Sequence, residues 1–267
     1  MANTLYSLSR SAANNKSDVL KGTPHDDVLH GSLGHTTFYG GLGDDIYYSK
    51  NADDTIVEYA NEGNDTVYAD TTFTLPTHVE NLTLEGNGNT FGFGNNSNNI
   101  LIGNSGNNRL SGEEGNDFLY GMGGNDTLSG GNGNDHLNGG DGDDYLAGGL
   151  GSDTIITGAG RDTVAFTAAD IREGSIDRVV EFDPNTDKLD LSGMRSLLTG
   201  SNANLSWSKM FVDKDPEVIL QKTVLISSLI QSSRLLLIVQ QVQAVAPFLP
   251  NSILAGWKHP ISSAKDP

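Results

Sequence analysis

The chain has 267 residues, 16 Lys+Arg against 34 Asp+Glu, 33 glycines and no cysteine. A formal net charge of −18 excludes general electrostatic attraction to nucleic acid or an anionic membrane, and the lack of cysteine excludes disulfides, thiolate metal sites and thiol nucleophiles. The acids are skewed, 25 Asp to 9 Glu, toward a turn former and short oxygen ligand, while 36% hydrophobic residues argue against a thick core.

In chain order, residues 1–21 are a lead-in of net charge +2, and their first 18 residues lack the continuous apolar core of a Sec-type signal peptide. Residues 22–165 hold 22 acids and 3 bases, a net of −19, so nearly all the charge lies in one segment. It opens on Gly22–His30, with Asp27 and Leu29, followed by Gly31–Tyr39, which keeps Gly34 and Phe38 but has Thr36 where an aspartate is expected. Gly40–Tyr48 (GGLGDDIYY) then places Asp45 18 residues after Asp27. Asp54 and Ile56 continue the spacing, and Ala60–Tyr68 keeps Gly63, Asp65 and Val67 after a shift of two residues. Residues 69–93 lose the phased aspartates but alternate as strands do, and Gly94–Ile102 recovers the phase at Leu101.

From Gly103 the chain divides into seven consecutive nonapeptides, GNSGNNRLS, GEEGNDFLY, GMGGNDTLS, GGNGNDHLN, GGDGDDYLA, GGLGSDTII and TGAGRDTVA. Slot four is always Gly, slot six is Asp in all but the first (Asn108), and slot eight is always aliphatic, from Leu110 to Val164. Glycine permits the tight turn, and the residues around slot eight are extended with only the middle one pointing inward. One nonapeptide is therefore a turn and a strand, and two make an 18-residue coil that stacks on the next at roughly 4.8 Å. Stacking aligns Asp117, Asp135 and Asp153 on one edge, and Asp126, Asp144 and Asp162 on the other. Like charges this close require neutralisation, and carboxylates with converging turn carbonyls suit a hard divalent cation, Ca²⁺ above Mg²⁺. Asp27 and Asp45, with the same separation, predict one further site.

The pattern G-G-x-G-x-D-x-(aliphatic)-x resembles the calcium-binding RTX, or hemolysin-type, repeat. Gly130–Asn138, Gly139–Ala147 and Gly148–Ile156 match it in every slot, and Gly40–Tyr48 matches it in all but slot eight, where Tyr47 stands. The resemblance implies an all-β fold, a right-handed parallel β-roll, with several calcium ions held between stacked turns. It implies calcium ligation by Asp117, Asp126, Asp135, Asp144, Asp153 and Asp162, a secreted bacterial protein, and the type I secretion machinery as a partner. Val79–Leu84 (VENLTL) resembles a spacer between RTX blocks. The stretch DRVVEFDPNTDKLDLS resembles the C-terminal cap of serralysin-type proteases and of alginate C-5 epimerase R-modules. The expected organisation is therefore a roll over 22–165 with a metal-poor middle at 69–93, a cap over 166–199, and an apolar tail over 200–267. In the cap, Asp183, Asp187 and Asp190 have the makings of one more ion site, but they read rather as a solvated turn. Leu235–Trp257 is a poor membrane span, because Gln, Asn and Pro interrupt it. It reads as a helical tail packed on the solenoid, a C-terminal export signal or an altered terminus, and the sequence does not choose among them.

No H-E-x-x-H and no G-x-S-x-G occurs, so neither a zinc protease nor a lipase module is expected, and His25, His30 and His35 read as turn or strand residues. The leading expectation is a non-enzymatic, extracellular calcium-binding module that folds on Ca²⁺ after export. The alternatives are an accessory module of a polysaccharide-modifying enzyme, touching an anionic polysaccharide, and an adhesive spacer.

Overall fold

The computed structural model describes residues 3–6, 18–167, 170, 175–193 and 217–222. Every regular element among them is a strand. Strands from alternate half-coils go to opposite sides of a parallel β-solenoid. One side is an 11-stranded sheet that runs from Asn3–Tyr6 through Asp27–His30, Ile46–Ser49 and onward to Ser175–Val180, with Glu217–Lys222 as its last strand. The other side is a three-stranded sheet over residues 18–57 followed by a seven-stranded sheet from Phe73–Thr74 to Lys188–Gly193. No helix long and apolar enough to cross a membrane occurs among the described residues.

The register follows the 18-residue coil. Leu101, Leu119, Leu137 and Ile155 are successive partners on one sheet, and Leu110, Leu128, Leu146 and Val164 on the other. All eight are 0% exposed. The interior is thus two facing files of slot-eight side chains, which is how a chain with few hydrophobic residues still forms a dry core. Substituting Leu137 by Ala is expected to cost about 2–5 kcal/mol, because the files on either side cannot close over the lost methyls. The measurement is urea unfolding in saturating calcium. An effect no larger than that of Phe118→Ala, 45% exposed on the same sheet, would count against a core this thin.

Extended structure reaches beyond the three residues expected around slot eight. His136–Asp141 and Thr154–Ala159 are paired through Gly140↔Gly158 and Asp141↔Ala159, into the next turn. The turns stack as tightly as the strands, and their main-chain groups bond from coil to coil, as in Gly133 N–H to Leu150 O at 2.7 Å.

After Thr167 the solenoid continues. Val179 pairs with Ile155 and Leu189 with Val164, so the loops between them add residues without losing register. Glu217–Lys222 then pairs antiparallel with Ser175–Val180 and covers that sheet edge, which would otherwise present unpaired main-chain groups. Val218, Ile219 and Leu220 favour a strand once an edge is available. The rest of the tail, including the 235–257 stretch with its helical and export-signal readings, lies outside the described residues.

Candidate metal centre

Each slot-six aspartate follows a turn of small residues and precedes a strand, so its side chain turns back into the gap between coils. The carboxylates are buried: Asp27, Asp45, Asp117, Asp126, Asp135, Asp144, Asp153 and Asp162 are all 1–2% exposed. In every pair, Oδ1 of one coil accepts the main-chain N–H of the slot-six residue in the preceding coil. The distances are 2.7 Å for Asp27 to Asp45, 2.9 Å for Asp117 to Asp135, 3.0 Å for Asp135 to Asp153, 2.7 Å for Asp126 to Asp144 and 2.9 Å for Asp144 to Asp162. The two predicted edge columns are therefore present.

The second oxygen is the informative one. Oδ2 of Asp45, Asp65, Asp117, Asp126, Asp144 and Asp162 is buried and accepts no hydrogen bond. A buried acceptor left this way costs about 1–3 kcal/mol, and more when charged. It does not lie alone. A Cβ placed on Gly112 would sit 2.2 Å from Asp117 Oδ2 and 2.6 Å from the Gly130 carbonyl oxygen. At Gly121 the corresponding distances are 2.4 Å to Asp126 Oδ2 and 2.3 Å to the Gly139 carbonyl, and at Gly139 they are 2.4 Å to Asp144 Oδ2 and 2.5 Å to the Thr157 carbonyl. The slot-one glycine thus leaves the space in which an idle carboxylate oxygen and a main-chain carbonyl oxygen of the next coil approach each other. A hard cation is the partner that such converging oxygens fit.

Positions where the repeat fails show the same point in reverse. Asn108 accepts from Asn104 N–H at 2.7 Å and donates Nδ2 to the Thr90 carbonyl at 3.2 Å. Asn99 likewise donates Nδ2 to the Glu80 carbonyl at 3.1 Å. An amide supplies donors to those carbonyls, which a carboxylate cannot do. Asp54 has both oxygens engaged, Oδ1 by Thr36 N–H at 2.7 Å and Oδ2 by the Ser49 hydroxyl at 2.8 Å, so this turn closes by hydrogen bonds. Asp65 differs: Oδ1 accepts Asp45 N–H at 2.8 Å and Oδ2 is left over. Asp27, at the start of its column, has Oδ2 bonded by the main-chain N–H and hydroxyl of Thr23.

Burial pushes the array carboxylates above the usual range, against the opposing pull of the main-chain N–H bonds. Asp45, Asp65 and Asp126 rise to about 7, and Asp117, Asp144 and Asp162 to about 6.

Sequence reasoning missed two sets of residues. Asp177 and Asp187 re-enter the columns after longer loops, accepting N–H of Asp153 at 3.0 Å and of Asp162 at 3.1 Å. Asp187 is 6% exposed, which corrects its reading as part of a solvated turn, whereas Asp183 is exposed. Slot five, an x in the repeat pattern, is a second ladder. Asn134 N–H donates to Asn116 Oδ1 at 2.7 Å, Asn125 N–H to Asn107 Oδ1 at 2.9 Å, and Arg161 ends one rail on Asp143 with an ion pair at 2.7 Å.

A family model for the RTX calcium-binding nonapeptide repeat, four copies long, matches residues 21–56, 93–128 and 129–164. No sequence among curated proteins matches this chain. The matched segments hold all eight predicted slot-six carboxylates together with the amides Asn99 and Asn108, and they flank residues 57–92. The chain is an RTX-repeat protein, its calcium-binding nonapeptides wound into a parallel β-roll.

Proposed function

We propose that this chain is a calcium-folded module of a secreted bacterial protein, exported unfolded by a type I route and folded by external calcium, with no catalytic step of its own. The observation that carries the reading is the set of buried, unpartnered Oδ2 atoms facing main-chain carbonyls. Asp45, Asp117, Asp126, Asp144 and Asp162 would hold the ions, with the turn carbonyls completing an oxygen shell. Bound calcium supplies the positive charge that these gaps otherwise lack. Everything else is done by the chain: the glycines open the pockets, the slot-six main-chain N–H groups orient each carboxylate, and the slot-eight files fix the coil spacing.

With a net −19 over residues 22–165 and a core one side chain deep, self-repulsion and chain entropy oppose folding until the charge is neutralised. Calcium binding energy is then folding energy. RTX-repeat proteins are generally secreted, and extracellular modules typically fill at about 10⁻⁴–10⁻³ M calcium, well above cytosolic levels. Titration with calcium at neutral pH should convert a disordered circular dichroism spectrum into a strand spectrum, cooperatively and reversibly on chelation. A strand spectrum of equal strength in excess chelator at the same pH would overturn the proposal.

A further inference from the structure

The coil that begins at Gly40 breaks the repeat in two slots at once. Slot eight, aliphatic in each of the seven nonapeptides from Gly103, is Tyr47, fully buried and packed edge-on against Phe38 with ring centroids 5.6 Å apart. Eighteen residues after the slot-one glycine Gly40, where another glycine would keep the phase, stands Glu58. Its side chain is not in solvent: Glu58 is 6% exposed.

The two departures answer each other. The Tyr47 hydroxyl donates to Glu58 Oε1, which also accepts Gly40 N–H at 3.2 Å. A Cβ on Gly40 would lie 2.1 Å from Asp45 Oδ2 and 2.4 Å from Glu58 Oε1, so the glycine vacates the hole that these groups share. One carboxylate oxygen each from Asp45, Glu58 and Asp65 lies within 4.8 Å of the others. That spread is no more than about twice a Ca–O bond of 2.3–2.6 Å. Glu58 Oε2, Asp45 Oδ2 and Asp65 Oδ2 are buried and accept no hydrogen bond. Lys50, close in sequence, is turned to Asp70 at 3.5 Å and Glu85 at 3.8 Å.

We propose that Asp45, Glu58 and Asp65 form a cation site of a different kind from the repeat turns, a buried three-carboxylate centre bounded by the Tyr47 phenol, which takes a hard di- or trivalent cation more tightly than the array does. Affinity in oxygen sites rises with the number of charged ligands, and here a third carboxylate joins the two that a repeat gap offers. The site fills first and seeds the N-terminal coils. The inference rests on the calcium-roll reading for Asp45 and Asp65, while Glu58 and Tyr47 are specific to it.

Terbium tests it on the full chain, because a lanthanide within reach of Tyr47 is excited through the phenol. Added terbium should give tyrosine-sensitised emission that saturates near one equivalent, ahead of the array. In Glu58→Gln that first equivalent should bind about tenfold more weakly, with the later calcium-induced strand transition intact. Tyr47→Phe keeps every carboxylate, so it should lose most of the early emission without losing an equivalent by calorimetry. A first phase unchanged in Glu58→Gln overturns the proposal. If Glu58→Gln does not reach the wild-type strand signal in saturating calcium, Tyr47→Phe decides, and unchanged early emission there also overturns it. Absence of any calcium-induced transition in the wild type would instead tell against the calcium-roll reading itself.

Discussion

Replacing Gly133 by alanine should abolish calcium-induced folding of the central coils, or push its midpoint well beyond that of the wild type. Gly133 has φ +138°, a conformation that side chains rarely adopt, and strain of that sort costs on the order of 1–3 kcal/mol. Strain is the smaller part. The new Cβ would lie 1.6 Å from the carbonyl oxygen of Gly115 and 2.6 Å from its carbonyl carbon, main-chain atoms of the adjacent coil. No rotamer relieves that contact, so the two coils must separate. Separation breaks the bond from Asp117 N–H to Asp135 Oδ1 at 2.9 Å and that from Asn134 N–H to Asn116 Oδ1 at 2.7 Å, and it spreads the Asp117/Asp135 gap. One methyl group thus removes stacking and ligand geometry together. The control is Gly88→Ala, whose added Cβ would meet nothing within 4 Å. Calcium titrations of the two variants by circular dichroism should differ sharply. Equal midpoints would mean that the coils are not stacked as described.

Period carried most of the fold in the sequence. Slot eight named the inward residues, and doubling nine to eighteen named their neighbours, because a stacked solenoid turns sequence separation directly into contact. The edge columns of aspartates were legible for the same reason. Which of those aspartates would be left with an idle oxygen was not. Asp54 and Asp65 both sit near the phase, yet Ser49 and the main chain around Asn51 engage Oδ2 of Asp54, while Oδ2 of Asp65 accepts no hydrogen bond. That difference depends on how a neighbouring loop folds back, which no spacing records.

The slot-five ladder was written in the sequence, since Asn occupies Asn107, Asn116, Asn125 and Asn134, but its meaning needs the stacking distance before an amide has anything to reach. Asp177 and Asp187 were hidden by loop length. They lie 24 and 25 residues after Asp153 and Asp162, and a strand can rejoin its register after any loop that closes, so a fixed period loses them. Glu58 was hidden by its residue type. A glutamate in a glycine slot reads as a defect until the Tyr47 hydroxyl is seen to meet it.

The pH dependence of stability should have opposite signs with and without calcium. Without it, the buried carboxylates titrate near pH 6–7 in the folded roll, with Asp126 raised to about 7 and Asp117, Asp144 and Asp162 to about 6, mainly because burial disfavours the charged form. In the unfolded chain aspartate titrates near 3.9. Between those values the folded state binds more protons than the unfolded one, so stability falls as pH rises. The contribution is fully present below about pH 4 and is lost as pH rises through 6–7. In calcium-stripped buffer, lowering the pH from 7.5 to 5 should therefore induce strand structure, the reverse of ordinary acid denaturation. With calcium present the protons become competitors, and the calcium midpoint should rise as pH falls through the same window. General loss of surface charge also favours compaction in acid, so the specific part needs a variant. In Asp126→Asn/Asp144→Asn two of the titrating groups are replaced by the amide that already serves at Asn108. This variant should show a shallower acid transition in stripped buffer and a smaller pH shift of its calcium midpoint. If the double variant kept the wild-type pH slope in both conditions, the buried carboxylates would not be the groups that couple protons, calcium and folding.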